Sequence, residues 1–190
     1  MLKLIKFAFV LFLGVISCAC VNIVAVHELN QKASDYLNEG NVEAAISRLE
    51  ASVDLDGSIY ESRYNLASAY IMVGEYKKAL TNIEAAIPLA KDEPAVYYTH
   101  GVSAMHVADG IYETKDENGE IVEVVFKSPE KELEAAQNYI DLLTKANKSF
   151  DKYTTLAPNA EDTQQVLEII QENKDKIAQK EAQYNIKSNE

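Results

Sequence analysis

Nucleophilic, acid–base or metal chemistry in this chain would have to come from three histidines, two cysteines and thirty Asp and Glu residues. Their spacing assembles none of the arrangements such chemistry needs. His27, His100 and His106 have no partner at metal-ligand spacing, and the last two are six residues apart, on different faces of a helix. Cys18 and Cys20 both lie near the start of the chain, so the remainder has neither a disulfide framework nor a cysteine metal site. Glycine-rich phosphate loops and nucleophile elbows are absent. The acids read as solvated helix faces rather than as a catalytic pair. Asn147-Lys148-Ser149 matches a glycosylation acceptor, but it falls inside a helical pattern and carries no weight. The sequence predicts a protein that is not an enzyme and takes neither metal nor cofactor. A net charge of -12 speaks against nucleic acid, whose phosphates need clustered Lys and Arg.

Cys18 is the one residue for which covalent chemistry is predicted. Lys3 and Lys6 precede an apolar run of ten residues from Phe7 to Ile16. That run is shorter than the roughly 20 residues a membrane-spanning helix needs, and it reads as a secretory signal. It ends in Val15-Ile16-Ser17-Cys18, which resembles the lipobox of bacterial lipoproteins. Cys20 is preceded by Ser17-Cys18-Ala19, a poorer match. The resemblance implies a signal peptide over residues 1–17, cleavage before Cys18, and a thioether-linked diacylglycerol with palmitate-type acylation there. Residues 18–25 would then form a lipidated tether. One acyl chain holds a protein marginally, at about 0.8 kcal/mol per buried CH₂, whereas two or more anchor it stably. Residue 19 is Ala, not the Asp that marks inner-membrane retention in enterobacterial lipoproteins. By that analogy the protein sits on the outer membrane, facing the periplasm.

The remainder has the make-up of a folded helical domain. Hydrophobic residues are 47% and charged residues 25%, which argues against disorder, while seven Gly and four Pro leave too few turns for an all-β fold. Shifting the chain by 34 residues aligns Ala33 with Ala67 and Gly101, Tyr36 with Tyr70, Gly40 with Gly74, and Val42 with Tyr76. The same shift pairs Ala45 with Ala79, Ile46 with Leu80, Leu49 with Ile83, Val53 with Ile87, and Leu55 with Leu89. Self-similarity at this fixed period indicates stacked helix-turn-helix units. Gly40 and Gly74 fall where a helix must stop and turn. Ala45 and Ala79 are small where paired helices approach, and the apolar residues around them keep helical spacing. The pattern resembles the tetratricopeptide repeat (TPR), most fully in Leu66-Ala67, Tyr70, Gly74-Glu75-Tyr76, Ala79-Leu80, Ile83 and Ala86. It departs from the family in having no Trp, in Lys32 at the place of Leu66, and in lacking the usual terminal Pro of a unit.

The expected architecture is therefore all-α: a short TPR-like solenoid of about three units plus a C-terminal capping helix. The array spans 26–158, with units at 26–59, 60–93 and 94–158. Tyr97, Gly101 and Ala104 open the third unit in register, and Ala146, Phe150, Tyr153, Leu156 and Pro158 close it. Leu89 and Leu156 are 67 residues apart, so about 33 extra residues, near 105–137, interrupt the unit. From Ile111 to Phe126, β-branched and aromatic residues flank Asn118-Gly119, which predicts a β-hairpin bearing Tyr112, Ile121 and Val124. Ser128-Pro129-Glu130 then starts a helix running to about Leu156. Its apolar stripe must cover the hairpin, the last helix or another subunit. Residues 159–190 supply the capping helix, with Val166, Ile169, Ile170 and Ile177 on one face and a polar tail expected to fray from about Lys180.

Without catalytic chemistry, the functional candidate is a binding surface. The TPR resemblance implies that the first helix of each unit lines a concave groove for peptides or partner helices. In register this selects Asn30, Tyr64 and Tyr98 as one row, Ser34, Ser68 and Val102 as a second, and Asn38, Met72 and His106 as a third. Tyr64 and Tyr98 are equally compatible with packing between units. The hairpin is either a tolerated surface insertion or an edge for pairing with a partner or another subunit. The leading expectation is a lipid-anchored scaffold or adaptor for a protein or peptide partner, with a homo-oligomer allowed. Its rivals are an oligomeric small-ligand accessory protein of a periplasmic transporter and a structural assembly factor for pili or outer-membrane complexes.

Overall fold

The computed structural model describes residues 23–186, so the signal segment, Cys18 and the start of the tether lie outside the described residues. Four short helices come first: α1 (23–38), α2 (Val42–Leu55), α3 (Tyr60–Met72) and α4 (Tyr76–Ala86), the last followed by a single 3₁₀ turn, Ile87–Leu89. Three long ones follow: α5 (Pro94–Tyr112), α6 (Pro129–Leu156) and α7 (Thr163–Tyr184). Between α5 and α6 lies an antiparallel hairpin of β1 (Glu113–Lys115) and β2 (Ile121–Glu123). The fold is helical with one small two-stranded sheet, as the sequence predicts.

The turns explain why the first four helices pair so regularly. Gly40 and Gly74 adopt left-handed backbone, with φ of 76° and 77°. In each turn the following N–H reaches back to close the helix, Asn41 to the Tyr36 carbonyl at 2.8 Å and Glu75 to the Tyr70 carbonyl at 2.9 Å. That closure requires a residue tolerant of positive φ at the glycine position. Asn41 also caps α2, its side chain accepting a hydrogen bond from the Ala44 N–H at 3.1 Å. Ala33, Ala67, Ala45 and Ala79 are buried, and Leu49 and Ile83 fill the space their small side chains leave. Tyr70 projects its hydroxyl from this core onto the Glu50 carboxylate. Burial, and then the hydrogen bond and charge of Glu50, push its pKa up to about 12.

The long helices form a second core. Ala104, Ala146, Phe150, Val166 and Ile170 cluster at one end of this bundle, and Ala108, Tyr139 and Leu143 at the other. Gly101 holds the register of Ala33 and Ala67, and the reason lies opposite it. A Cβ there would come within 2.6 Å of the buried Phe150 ring, which occupies the place of Leu49 and Ile83 in the earlier units. Buried polar pairs join the helices: the Asn173 amide donates to Asn147 Oδ1 at 2.9 Å, and His100 Nδ1 lies 2.7 Å from Ser149 Oγ.

The extra residues of the third unit do not form one separate insert. Residues 105–112, expected within the interruption, prolong α5 to Tyr112, and residues 129–137 are the opening turns of α6. Ile111 and Tyr112, read from the sequence as hairpin, are thus helical. Both pack against the Tyr139–Leu143 cluster, which α6 can offer only because it overshoots the repeat. Ser128 starts α6 as expected, accepting a hydrogen bond from the Lys131 N–H, with Pro129 in the first turn. The surplus apolar stripe of α6 is covered by α5 and α7 from Ala135 onward, while Leu133 stays exposed. The tail does not fray at Lys180. α7 continues to Tyr184 because the Lys180 and Tyr184 side chains are both held, as described next.

Candidate partner-binding surface

α1, α3 and α5 carry the nine predicted groove residues, and the structure divides them. Asn30 is turned into the first core, where its amide donates to Ser52 Oγ at 2.9 Å and Ser62 Oγ at 2.7 Å. Ser52 and Ser62 are fully buried and also bond each other at 2.9 Å, so the amide completes a closed buried network and is not free for a ligand. Tyr98 and Val102 are likewise drawn inward. Tyr98 packs edge-on to Phe150 with ring centroids 6.1 Å apart and against Tyr153 at 5.3 Å, and Val102 rests on the same cluster. Asn30 is thus committed to the Ser52 and Ser62 hydroxyls, and Tyr98 and Val102 to the aromatic cluster of α6, which takes these three out of the groove row. Tyr64 is half-buried against the first core, and Ser68 bonds back to the Tyr64 carbonyl. Ser34 and Asn38 are exposed, and Met72 is exposed to 62%.

The row of Asn38, Met72 and His106 leads to the hairpin. His106 stacks on Tyr76, the first residue of α4, with centroids 4.2 Å apart and rings inclined by 18°. Its Nδ1 is 4.0 Å from Asp109 Oδ2 one turn further along α5. Tyr76, His106, Asp109 and Gly110 line an open pocket of about 370 Å³, and its remaining walls are Glu113, Thr114 and Ile121 of the hairpin. One predicted groove residue and one predicted hairpin residue therefore meet in a single concavity. Asp109 and Thr114 were not singled out from the sequence, and Tyr76 was read only as part of the repeat pattern, not as a site residue. The repeat register did place Tyr76 just past the Gly74 turn, and that position faces the end of the next first helix.

The hairpin is fixed on its other side. The Val124 N–H donates to the Tyr112 carbonyl at 2.8 Å, which ties the end of β2 to the last residue of α5. Lys180 Nζ lies over the Tyr112 ring, 3.8 Å from its centroid, with Tyr184 and Tyr139 at 5.7 and 5.9 Å. Tyr112 in turn meets Phe126 and Tyr139 edge-on. The Tyr184 hydroxyl donates to Glu132 at 2.6 Å, and that bond, with burial, raises its pKa to about 12. Lys180 is half-buried, and a cation over aromatic faces at such a site is worth about 1 kcal/mol, enough to favour one orientation of a short hairpin. At the tip the Gly119 N–H bonds the Asp116 carbonyl, Gly119 takes φ of 82°, and Asp116 Oδ1 accepts from the Asn118 and Glu120 N–H groups. This is a three-residue loop with a glycine bulge. Ile121 and Val125 remain exposed, to 69% and 90%.

Nothing in this geometry assembles acid–base or nucleophilic chemistry. Among the described residues no group of His, Cys, Asp and Glu is arranged to hold a metal. His100 is buried and faces Ser149 and the more distant Glu84, and burial lowers its pKa. The arrangement can do something else: present an aromatic and apolar strip, with a rigidly mounted edge strand, to another polypeptide.

Comparison with known proteins agrees with that architecture. The family model of the YfiO outer membrane lipoproteins matches residues 24–188. The chain belongs to that family. Among the described residues of this family member, no helix is long and apolar enough to cross a membrane. Solved structures with the same fold include the first TPR domain of Spaghetti (RPAP3) bound to the HSP90 peptide SRMEEVD, with TM-score 0.58 and 16% identity, covering 81% of this chain and 94% of that one. The second TPR domain of human RPAP3 in complex with the HSP70 peptide SGPTIEEVD has TM-score 0.57 and 16% identity, covering 80% and 98%. The Yersinia enterocolitica type III secretion chaperone SycD in complex with a peptide of the translocator YopD gives 0.55 and 14%, covering 79% and 92%. At such identities the likeness is one of fold. No curated protein matches the chain.

Proposed function

We propose that this family member is an adaptor of the cell envelope, anchored by lipid on Cys18 and facing the periplasm. It binds a protein partner along the end of its concave face and over the hairpin. The supporting observation is the shared pocket, in which His106 of the groove row and Ile121 of the hairpin line one concavity floored by Tyr76. Stacked rings and an exposed aliphatic side chain give adaptable apolar contact, and the unpaired edge of a strand offers backbone groups to an extended ligand. TPR domains of the same fold have been solved with bound peptides, which fits this use of the surface. Membership of an outer membrane lipoprotein family fits the anchor.

The test is photocrosslinking in living cells, with the crosslinking residue at 72, 106 or 121 and a control at the exposed Glu172 of α7. The expected outcome is one common partner from positions 106 and 121 and none from 172. Unrelated products at each position would refute the shared surface. Replacement of Cys18 by Ser is expected to release the protein from the membrane fraction, and unchanged fractionation would refute the anchor.

A further inference from the structure

The reading above leaves the chemistry of the partner segment open, and the distribution of charge around the shared pocket narrows it. The first helices α1, α3 and α5 contain only two cationic residues, Lys32 and Arg63, apart from histidine. Both are occupied. Lys32 Nζ is 2.7 Å from Glu28, and Arg63 Nε donates to the Gly57 carbonyl at 2.6 Å. The other Lys and Arg residues of the repeat helices, among them Arg48, Lys77, Lys145 and Lys148, lie on the second helices.

On the hairpin side of the Tyr76–His106 stack the balance is acidic, while Lys77 lies in the adjoining depression with Glu75. The pocket's two ionised walls are Asp109 and Glu113, and no Lys or Arg lines it. Beyond it the hairpin holds Asp116, Glu117, Glu120 and Glu123 against the single Lys115. Glu113 and Glu123 are direct cross-strand partners, a pairing of like charges that is unfavourable in the free protein. On the side of the hairpin facing α7, Lys180 lines a concavity with Glu113, Glu123 and Glu132 and offsets part of that repulsion, whereas the pocket on the other side holds no Lys or Arg. The same short stretch carries the exposed apolar groups Ile121 and Val125, with Met72 along the row.

We infer that the occupant is a segment of a partner protein in which Lys or Arg residues alternate with bulky apolar ones. The apolar side chains cover Ile121, Met72 and the Tyr76–His106 stack, while the cations face Asp109 and Glu113. This rests on the adaptor reading and adds the sign of the charge to it. In an open, partly solvated site the cations supply selectivity and salt sensitivity more than affinity.

Fluorescence anisotropy of the full chain in detergent, with two labelled extended peptides, tests it. The peptides share their apolar positions, and one interleaves Lys where the other interleaves Glu. The lysine peptide is expected to bind tighter at low salt, with the difference fading at high salt. The pair of substitutions Asp109→Asn and Glu113→Gln, which preserve shape, should reduce lysine-peptide affinity about fivefold and tighten, not weaken, binding of the glutamate peptide. Equal or tighter binding of the glutamate peptide by the unsubstituted chain overturns the inference and leaves the adaptor reading standing. No binding of either peptide, with no common crosslink from 106 and 121, removes both. Sedimentation in the same detergent supplies the remaining outcome. A dimer that Ile121→Asp converts to monomer assigns the face to a second copy and overturns the partner segment.

Discussion

The paired short helices α1–α4 and the long bundle α5–α7 are written in the same register of small and large residues, but they differ in what holds them. In the first region each helix pair ends at a left-handed glycine, and alanines set the helix spacing. The core is joined across units by a buried polar node, Asn30 with Ser52 and Ser62, and by the Tyr70 hydroxyl on Glu50. In the second, α5 continues past the point where a repeat would turn, and α6 and α7 lengthen to match it. Aromatic residues then take over the packing: Phe150 at one end, and Tyr112 and Tyr139 beneath Lys180 at the other. Once a helix outgrows the repeat, nearest-neighbour stacking no longer buries it, and a private core with its own fastenings becomes necessary.

The widest separation between the regions should come from core truncation. Phe150→Ala is expected to cost about 3–5 kcal/mol, read by chemical denaturation. Hydrogen exchange should show α5–α7 opening while α1 and α2 keep their protection. Leu49→Ala, at the equivalent place in the first unit, should cost about 2–5 kcal/mol and show the reverse pattern. If both variants loosen the whole chain alike, the array is one cooperative block and the comparison fails.

A smaller effect is expected at the polar nodes. Asn30→Ala leaves two buried serines with one fewer partner and should cost about 1–3 kcal/mol. The double replacement Asn147→Leu with Asn173→Leu removes both members of the α6–α7 pair and should be nearly neutral. Thermal unfolding of the two variants ranks the regions by their dependence on hydrogen bonding, and the opposite ranking would break the comparison there.

The smallest effect concerns acid. Burial lowers the pKa of His100 below the usual 6.5, so the unfolded chain binds the proton more readily than the folded one. Stability from this group is therefore full above about pH 6.5 and declines as pH falls below it. His100→Gln should lose less stability than the parent chain between about pH 7 and pH 5.5. An equal loss would show that His100 does not contribute to the acid sensitivity of the second region.

These differences also account for what could be read beforehand. Gly40, Gly74 and the alanine pairs are legible because each does its work within one repeat, where a fixed period exposes it. The long α6 was legible from its cap at Ser128-Pro129 and its apolar stripe. Asn30 and Tyr98 misled because their rows assume standard neighbours, whereas Ser62 and Phe150 are not standard and draw them inward. Lys180 was taken for the start of a loose tail because its partner Tyr112 is distant in sequence and no local pattern links them. His106 and Ile121 were each recognised alone. Their meeting depends on α5 running on to Tyr112, which the β-branched and aromatic residues there disguised.

Gly101 and Phe150 limit how this protein can be recombined. Repeat arrays are usually extended or shuffled unit by unit, since each helix pair carries a self-sufficient interface. Here a glycine on one helix and an oversized ring on another, 49 residues away, fit only each other. A chimera that moves α5 beside a helix bearing Leu or Ile in place of Phe150 would inherit a void. One that places an alanine-bearing first helix opposite Phe150 would inherit a collision. The third unit is thus transferable only as a matched set, with its hairpin and closing helix, whereas the first two need only keep the Asn30–Ser62 and Tyr70–Glu50 contacts between them.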